Sequence, residues 1–514
     1  MKNKLNLKEI YREMELELIS SMKRTLSRHL KEEEKTGFNF TQWQAETLKE
    51  MKRFQHSNKS IVGSYTKGLS KDISKQLQNE LKQGSRRELK KYKKVMGDKY
   101  KGNINLSHSF FKLNDKKLVG LIQEIQNGTQ NANYGALRML DDQYRKVISK
   151  VVMFSNHGVV SPTKAIDMAT KDFLNAGINC IEYKNGRRVN TADYCDMAVR
   201  TANTRAQLIG EGQFRQEIGE HLVRPTRHNT ACEKCAKWEG KVLIDDVYSG
   251  GSKKDGKYPL LSEAMAQGFF HPRCEHSLPT YYKDMDDIEF DEHGPTEKTM
   301  QQYQEKLNWI NNNIHRCERL ITGSLDEDNI RLYEDQKQHW ERKKELNEVV
   351  KNTRMMISET FYERTKGAKI NSIKEKHSCF DLETGNISLG TLSDEYSLIH
   401  ELAHRLQWNF TKEEQIVYDK IILNKFKKYT RKDFMKIRSK AGGKYYVLKD
   451  YSDFISRYQT RIYNGGFNLL GKLNLEYAQE YFSEGVKYYY KNPKLLEKKD
   501  KVLYSFIKKV IDKK

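Results

Sequence analysis

The sequence predicts a multidomain, mainly α-helical protein with a small α+β domain at its C-terminal end. With 514 residues, the chain is longer than one ordinary hydrophobic core accommodates. Hydrophobic residues make up 37 % and charged residues 31 %, which favours thin, solvated helices, and the seven prolines allow those helices to run uninterrupted. Strand patterns are predicted within Lys366–Gly390, ahead of a further helical region.

The net charge and the lack of long apolar runs limit the classes of partner. A formal net charge of +23 suits a partner rich in phosphate or another negatively charged assembly, although Lys-rich exposed helix faces give the same total. No run approaches the roughly 18 apolar residues of a membrane span, and Met1–Arg12 has no apolar signal-peptide segment. We therefore expect no membrane association. Four cysteines are scattered singly along the chain, which favours reduced thiols in a cytoplasmic product; they are Cys180, Cys195, Cys317 and Cys379.

The first 60 residues are predicted to form two helices. Apolar residues recur every four positions from Ile10 to Met22, which is the spacing of one helix face. Gly37–Phe40 interrupts this pattern, and a second helix is predicted at Thr41–Gln55.

Residues 60–225 are predicted to continue as charged helices. Glu80–Lys101 is rich in Lys and poor in apolar residues, and Gly84 and Gly97 are candidate helix breaks. This stretch is either a solvated helix surface or a basic face that lies near DNA. Asp193–Ile218 is predicted to be one long helix.

Residues 224–282 carry cysteines and histidines in the pattern of a structural zinc site. Cys232 and Cys235 form a Cys-x-x-Cys knuckle whose thiolates face one metal ion from a tight turn, and Cys274 supplies a third sulfur after a Gly-rich insert. The candidates for the fourth ligand are His276, His271 and His228. The alternative is an unligated or redox-active cysteine pair with incidental histidines.

Two groups of strings carry a family resemblance. At the start of the chain, Glu13–His29 and Gly37–Gln44 resemble phage minor capsid proteins of the minor capsid protein 2 type. The Cys/His segment resembles the tail of the related Mu-type head morphogenesis proteins through Arg224–His228, Cys232-x-x-Cys235, Trp238–Lys241 and His271–His276. His276 departs from that pattern, because many relatives have Cys there.

The resemblance implies a minor capsid and head morphogenesis domain over residues 1–285, with a zinc-knuckle-like tail at 224–282. It implies a protein made in the host cytoplasm that lies inside the phage head near the portal. The implied partners are portal, capsid and scaffold proteins, with packaged DNA as a further one.

Residues 286–355 are predicted to form a helical hairpin that serves as a spacer. Apolar residues from Met300 to Ile321 step alternately by three and four positions, and Thr322–Asn329 forms a turn before a second helix. A self-associating coiled coil is the alternative, although the second helix offers a partner within the same chain.

The most specific chemical motif is the H-E-x-x-H pentapeptide at residues 400–404. Ser393–Trp408 contains neither Pro nor Gly, so it is predicted to be one continuous helix. His400 and His404 then share a helix face and can bind one zinc ion, while Glu401 lies one residue round the helix and can hold the attacking water. The alternative is a degenerate site, or a helix that carries two histidines by chance.

A third ligand is predicted from a second pair of residues four positions apart. Glu480 and Glu484 share a helix face, so one carboxylate can bind zinc while the other orients a ligating histidine. The segment resembles the E-x-x-x-[DE] helix of gluzincins and the equivalent segment of anthrax lethal factor-type peptidases, which implies Glu480 as the ligand and Glu484 as its support. The longer separation of His404 from Glu480 departs from those families, and Glu413 or Glu414 is the fallback ligand.

Residues 356–514 are accordingly predicted to form a zincin-like domain. Strands at 378–382 and 387–390 precede the motif helix, which is the usual order in zincins, and an edge strand there can pair with an extended peptide. Arg431–Ile437 is predicted to be helical. The candidate donors to the oxyanion of a hydrolytic reaction are Tyr458 and Tyr463.

Three functions are compatible with these patterns. The first is a virion protein that carries a zinc metallopeptidase with one catalytic and one structural zinc, in which Glu401 moves the proton during hydrolysis of an unidentified protein substrate. The second is a structural minor capsid protein whose zincin-like domain is an inactive adaptor. The third, a protein that only binds nucleic acid, rests on charge alone and ranks last.

Overall fold

The computed structural model describes residues 6–36, 40–97, 115–156, 161–183, 185–227, 231–272, 274, 276–283, 297–438, 443–463, 466–467, 473–474 and 477–512. The chain divides into two compact units, Met1–Glu289 with Asn311–Trp340, and Phe290–Ile310 with Glu341–Lys514. Among the described residues, neither unit contains a helix that is long and apolar enough to cross a bilayer. The predicted fold class, mainly α with a small α+β part, is confirmed.

The first unit is built mainly from long helices. They are α1 (Leu7–Thr36), α2 (Phe40–Thr66), α3 (Leu69–Met96), α4 (Asp115–Asn156), α5 (Pro162–Ala176) and α6 (Thr191–Ile218). The predicted apolar stripe of α1 faces the core, because Met14, Leu18 and Met22 are buried. Side-chain oxygens of Ser161 and Asn190 accept backbone N–H bonds and so cap α5 and α6.

Helices α3 and α6 cross in close contact at two glycines. A Cβ on Gly84 would lie 2.2 Å from the carbonyl oxygen of Gln207. A Cβ on Gly210 would lie 2.0 Å from the carbonyl oxygen of Leu81, and Ser85 donates a hydrogen bond to the Gly210 carbonyl. The predicted break at Gly84 is therefore wrong, because this glycine permits a close helix approach and α3 continues through it.

Short strands and helices complete the first unit. Antiparallel pairs form between β1 (Ile181–Glu182) and β2 (Arg188–Val189), and between β3 (Leu222–Val223) and β4 (Leu243–Ile244). The short helices α7 (Glu233–Ala236) and α8 (Leu261–Ala266) lie on either side of β4 in the chain. A fully buried ion pair holds this segment to α6, because Arg215 bonds Asp245 at 2.9 and 3.1 Å and donates to the carbonyl of Leu278.

Two helices occupy the predicted hairpin, α9 (Glu297–Gly323) and α10 (Glu327–Met356). They run antiparallel, since Lys337 lies 3.0 Å from Glu318 and Asn347 donates to the carbonyl of Tyr303. Residues 311–340 group with the first unit, and the other parts of both helices group with the second. The proposed domain boundaries after residues 285 and 355 stay predictions.

The second unit combines two small sheets with packed helices. After α11 (Glu359–Thr365), the first sheet has the order β5 (Ile370–Ser372), β7 (Ile387–Leu389), β6 (Cys379–Phe380), with β5 parallel and β6 antiparallel to β7. Next come α12 (Glu395–Trp408), α13 (Lys412–Phe426) and an antiparallel sheet of β8 (Phe434–Arg438), β9 (Lys444–Leu448) and β10 (Ile462–Tyr463). The last helices are α14 (Glu480–Lys491), α15 (Pro493–Lys499) and α16 (Lys501–Ile511).

One predicted helix in this unit is wrong. Residues 431–437 form a single 3-10 turn at Arg431–Asp433 and then strand β8, in which Met435 pairs with Val447 and Ile437 with Tyr445. Strand β9 is rich in Tyr and Val, residue types that suit a pleated surface, and its pairing overrides the weak local preference of β8.

The packing of α12 against α14 places the residues of the H-E-x-x-H motif. Leu406 of α12 and Phe482 of α14 are fully buried between elements of this unit. Asp394 accepts a 2.8 Å hydrogen bond from a backbone N–H of the first turn and caps α12 at its predicted start. Because His400 and Glu480 are carried by these two helices, their packing brings the two side chains together.

Replacing Gly210 with Ala is expected to destabilise the first unit, because the added Cβ would collide with the carbonyl oxygen of Leu81. Overpacking of this kind costs about 1–3 kcal/mol. Gly120→Ala is the matched control, since this α4 glycine has open space at the Cβ position and Ala favours the helix. Thermal unfolding followed by circular dichroism measures both variants, and an unchanged Tm for Gly210→Ala would contradict the crossing.

Candidate metal centres

Three side chains with metal-binding atoms converge where α12 meets α14. His400 Nε2 lies 2.9 Å and His404 Nε2 lies 3.4 Å from the same atom, Oε2 of Glu480. The ligand atoms of the three residues all lie within 4.8 Å of one another, and the side chains are largely shielded from solvent. Two imidazole nitrogens and one carboxylate oxygen form a donor set that zinc prefers, so these residues fit a zinc ion.

The helix and an adjacent strand set the orientation of the two imidazoles. Four positions correspond to about one turn of α12, so His400 and His404 project from the same face, with ring centroids 4.9 Å apart. Phe380, on the edge strand β6, stacks on the His404 ring at a centroid distance of 6.1 Å, and the Trp408 ring meets Phe380 edge-on. The rings of Phe380 and Trp408 therefore form an aromatic surface beside His404.

The second carboxylate of α14 supports His400 from its other nitrogen. Glu484 Oε2 lies 3.2 Å from His400 Nδ1. Ser456 donates to Glu484 at 3.1 Å, and Lys487 lies 3.3 Å from it, so this carboxylate is itself held in place. A carboxylate beside Nδ1 keeps the proton on that nitrogen and leaves Nε2 as the ligand atom.

Both candidate tyrosines contact Glu480. The hydroxyls of Tyr463 and Tyr458 donate to Oε1 of Glu480, the latter at 3.4 Å, whereas Oε2 is the oxygen that meets the imidazoles. The Tyr458 ring also packs edge-on against the His400 ring, with 5.5 Å between centroids. In this arrangement the two hydroxyls orient the Glu480 carboxylate. Donation of a hydrogen bond by Tyr458 or Tyr463 to an oxyanion stays a prediction.

Opposite charges within the cluster shift the pKa values of its members. Burial disfavours the charged form of Glu480, but its contacts with His400 and His404 outweigh burial and hold the pKa of Glu480 well below its usual range. Burial also disfavours the charged form of His400, but its contacts with Glu480 and Glu484 raise the pKa of His400 to about 9. The surroundings therefore favour a positive charge at this point, which a proton or a metal cation can supply.

Glu401 lies beside the histidines on α12 with its side chain buried. Burial raises the pKa of the Glu401 carboxyl, and the charges of His400 and His404 oppose that rise. A carboxylate with a raised pKa is a better proton acceptor, which suits a general base.

The fallback ligands lie elsewhere in the second unit. Glu414 helps to cap α13 and pairs with Arg364 at 2.7 Å, and Glu413 is exposed. The described residues between His404 and Glu480 include α13 and the sheet of β8, β9 and β10. These elements occupy much of the long stretch that separates the two motifs.

The Cys/His segment of the first unit also brings its predicted ligands together. Cys235 Sγ lies 3.9 Å from Cys274 Sγ, and Cys232 Sγ lies 3.2 Å from His271 Nε2. His276 Nδ1 lies 3.2 Å from Cys274 Sγ. The ligand atoms form two overlapping sets that share Cys235, so the residues fit one ion with sulfur and imidazole ligands.

Both described histidines of this cluster are oriented as ligands. His276 Nε2 lies 2.6 Å from the largely buried carboxylate of Glu239, and His271 Nδ1 lies 2.8 Å from the carbonyl oxygen of Pro272. In each ring the other nitrogen faces a cysteine sulfur, so the choice between the two stays open. His228, the third candidate, lies outside the described residues.

The sequence motifs did not reveal several contributors to the centre in the second unit, among them Phe380, Ser456 and Arg461, which donates to the Tyr458 hydroxyl at 3.2 Å. None of them lies in a motif, and each reaches the site through the packing of separate elements. The sequence offers one indication for Arg461, because it lies between Tyr458 and Tyr463, the two candidate oxyanion donors.

Comparison with known protein families gives a match. The family model described as phage minor capsid protein 2 matches residues 3–353. No curated protein and no solved structure matches the chain. The Cys/His cluster lies within the matched residues, whereas His400, His404 and Glu480 lie beyond them.

Substitutions in the two centres are expected to remove zinc independently. His404→Ala should remove the ion of the second unit, and Cys235→Ser should remove that of the first, because each loses a ligand that its site requires. Metal analysis of the purified full chain measures the zinc content. The matched controls, His377→Ala and Cys379→Ser, change exposed residues of the same types and should leave it unaltered. A wild-type chain without zinc after expression in zinc-supplemented medium would contradict both assignments.

Proposed function

The chain belongs to the phage minor capsid protein 2 family, and from that premise we propose that it is a head protein whose C-terminal part, residues 356–514, is a zinc-dependent metallopeptidase. The family match covers well over half of the chain and implies a virion component that interacts with other phage structural proteins. One observation carries the peptidase proposal: two histidines and Glu480 converge around one point, with Glu401 beside them.

The proposed place of the protein is the head interior near the portal, with portal, capsid and scaffold proteins as partners. Family membership supports this placement. The net charge of +23 supports closeness to packaged DNA, because phosphate-rich surroundings attract a basic protein.

The proposed chemistry is hydrolysis of a peptide bond. A zinc ion held by His400, His404 and Glu480 would lower the pKa of its bound water and polarise the substrate carbonyl. Glu401 accepts the proton of the attacking water and returns it to the leaving nitrogen, and its buried position supports this proton transfer. Strand β6 is an edge of its sheet and carries Phe380 beside His404, which supports main-chain pairing of an extended substrate there.

The second candidate is an inactive adaptor, and one observation favours it. The contacts of His400 with Glu480 and Glu484 join α12 to α14 even when a proton supplies the positive charge. The packing of α12 against α14 can thus persist without a metal ion, and an adaptor in the head needs a stable unit but no catalysis.

For the Cys/His cluster we propose a structural zinc ion. Cys232, Cys235 and Cys274 with one histidine would close a segment that has short strands and few long helices. Four protein ligands leave no open position for substrate, which is the arrangement of a structural rather than a catalytic site.

Glu401→Gln is expected to abolish turnover while zinc and fold are retained. The amide keeps the shape of the side chain but cannot accept the proton, and the loss of a general base costs about 10²–10⁴-fold in rate. Hydrolysis of a denatured protein mixture, with and without a chelator, measures the activity. Glu413→Gln is the control for the same chemical change at an exposed position. Full activity of Glu401→Gln, or activity that a chelator leaves intact, would exclude the mechanism.

A further inference from the structure

Arg461 lies next to the metal centre of the second unit and is held between aromatic rings. Its guanidinium carbon lies 4.1 Å from the ring centroid of Tyr445 and 4.1 Å from that of Tyr458. The Tyr463 ring is 5.9 Å away. Stacking on these rings restricts the side chain, so its N–H groups have a defined direction.

One of those N–H groups bonds a hydroxyl that contacts the candidate ligand. Arg461 Nη1 donates to the Tyr458 hydroxyl at 3.2 Å, and the Tyr458 hydroxyl donates to Glu480 Oε1 at 3.4 Å. The three residues therefore form a chain of hydrogen bonds that ends on the carboxylate. Tyr458 also touches the second ligand, because its ring packs against His400.

The chemistry of the groups fixes the direction of this chain. A guanidinium has only donors, whereas a phenol has one hydrogen to donate and lone pairs that accept. The Tyr458 oxygen accepts the hydrogen bond from Arg461, so the hydroxyl hydrogen of Tyr458 is donated to Glu480. Tyr463 donates to the same oxygen, so Oε1 of Glu480 is held by two hydroxyls. Oε2 faces the histidines and accepts one further hydrogen bond, from Ser483 at 3.4 Å.

The other interactions of Arg461 are with the same cluster. A hydrogen bond with Tyr463 and the negative charge of Glu480 favour its charged form, in addition to Tyr458. Its Nε is buried and has no hydrogen-bond partner among the described residues, which disfavours the folded state. The aromatic rings hold the guanidinium there nonetheless, with one N–H directed at Tyr458.

We propose that Arg461 is a positioning residue of the metal centre, which fixes the Tyr458 hydroxyl as a donor to Glu480 and thereby presents Oε2 of Glu480 to the cation. The inference rests on the proposed metal-dependent function. It assigns Arg461 no contact with the substrate, and it adds Tyr458 to the groups that set the affinity for zinc.

The test is the zinc dissociation constant of the centre in the second unit, measured by competition with a chromophoric chelator. The protein is the full chain with Cys232, Cys235 and Cys274 replaced by Ser, so that the Cys/His cluster does not contribute. Arg461→Gln and Tyr458→Phe should each weaken zinc binding about 10–100-fold, as loss of a group that orients a ligand does. The double variant should weaken zinc binding by clearly less than the product of the two single effects, because Arg461 and Tyr458 act through one hydrogen-bond chain. The remaining effect of Arg461 comes from its interactions with Tyr463 and Glu480. Arg461→Lys keeps the charge without the planar fork and should recover part of the affinity.

Two controls separate positioning from general effects. Arg457→Gln removes a guanidinium that stacks on Tyr451 in the same segment, and it should leave the dissociation constant unchanged. The unfolding temperature of each metal-free variant reports on folding. If Arg461→Gln does not fold, Tyr458→Phe carries the test, since it removes only the hydroxyl.

The outcomes distinguish this inference from the proposed function. The role of Arg461 would be overturned if Arg461→Gln or Tyr458→Phe bound zinc with wild-type affinity. It would also be overturned if the fold-losses of affinity of the two single variants multiplied in the double variant. Either result would leave the proposed function standing. Equal weakening by Arg457→Gln would also overturn it, because the effect would then be one of charge. A wild-type chain whose zinc binding does not depend on His404 would overturn the proposed function, and the inference with it.

Discussion

The contact of Glu480 with His400 and His404 is the interaction on which the second unit depends. It places a carboxylate and two imidazoles where solvent is largely excluded, and an unpaired charge in such a place is costly. Helices α12 and α14 must therefore meet in a register that keeps these groups opposed, and the buried apolar residues around them maintain that register. The same requirement makes the junction suitable for a cation, since either a proton or a divalent metal ion balances the carboxylate.

Those parts of the site that lie on one helix could be predicted from the sequence. The spacing of His400 and His404, and that of Glu480 and Glu484, each follow from one helical turn, and the structure brings the two pairs together. Contributors from separate elements have no helical spacing that points to the site. Phe380 reaches it through tertiary packing, and the sequence signal for Arg461 is only its place between Tyr458 and Tyr463. Strand β8 was missed for the same reason, since its pairing with β9 outweighs a weak local preference.

The two candidate centres differ in what their surroundings allow. The Cys/His cluster offers more ligands than one ion needs, and it lies among short elements that such an ion would hold together. The centre in the second unit offers three ligands, a buried glutamate and an edge strand, which would leave the proposed zinc ion a position for water and the proposed peptidase a way to hold a peptide. The family match includes the first centre and ends before the second, so family membership and the proposed peptidase activity rest on different residues.

Zinc-edge X-ray absorption spectroscopy tests the central claim most directly, on a full chain in which Cys232, Cys235 and Cys274 are replaced by Ser so that the centre of the second unit is seen alone. We expect a shell of nitrogen and oxygen atoms at about 2.0–2.2 Å with the scattering signature of two imidazoles. A shell of water oxygens without imidazole, or a shell that contains sulfur, would contradict the assignment of His400, His404 and Glu480 as the ligands.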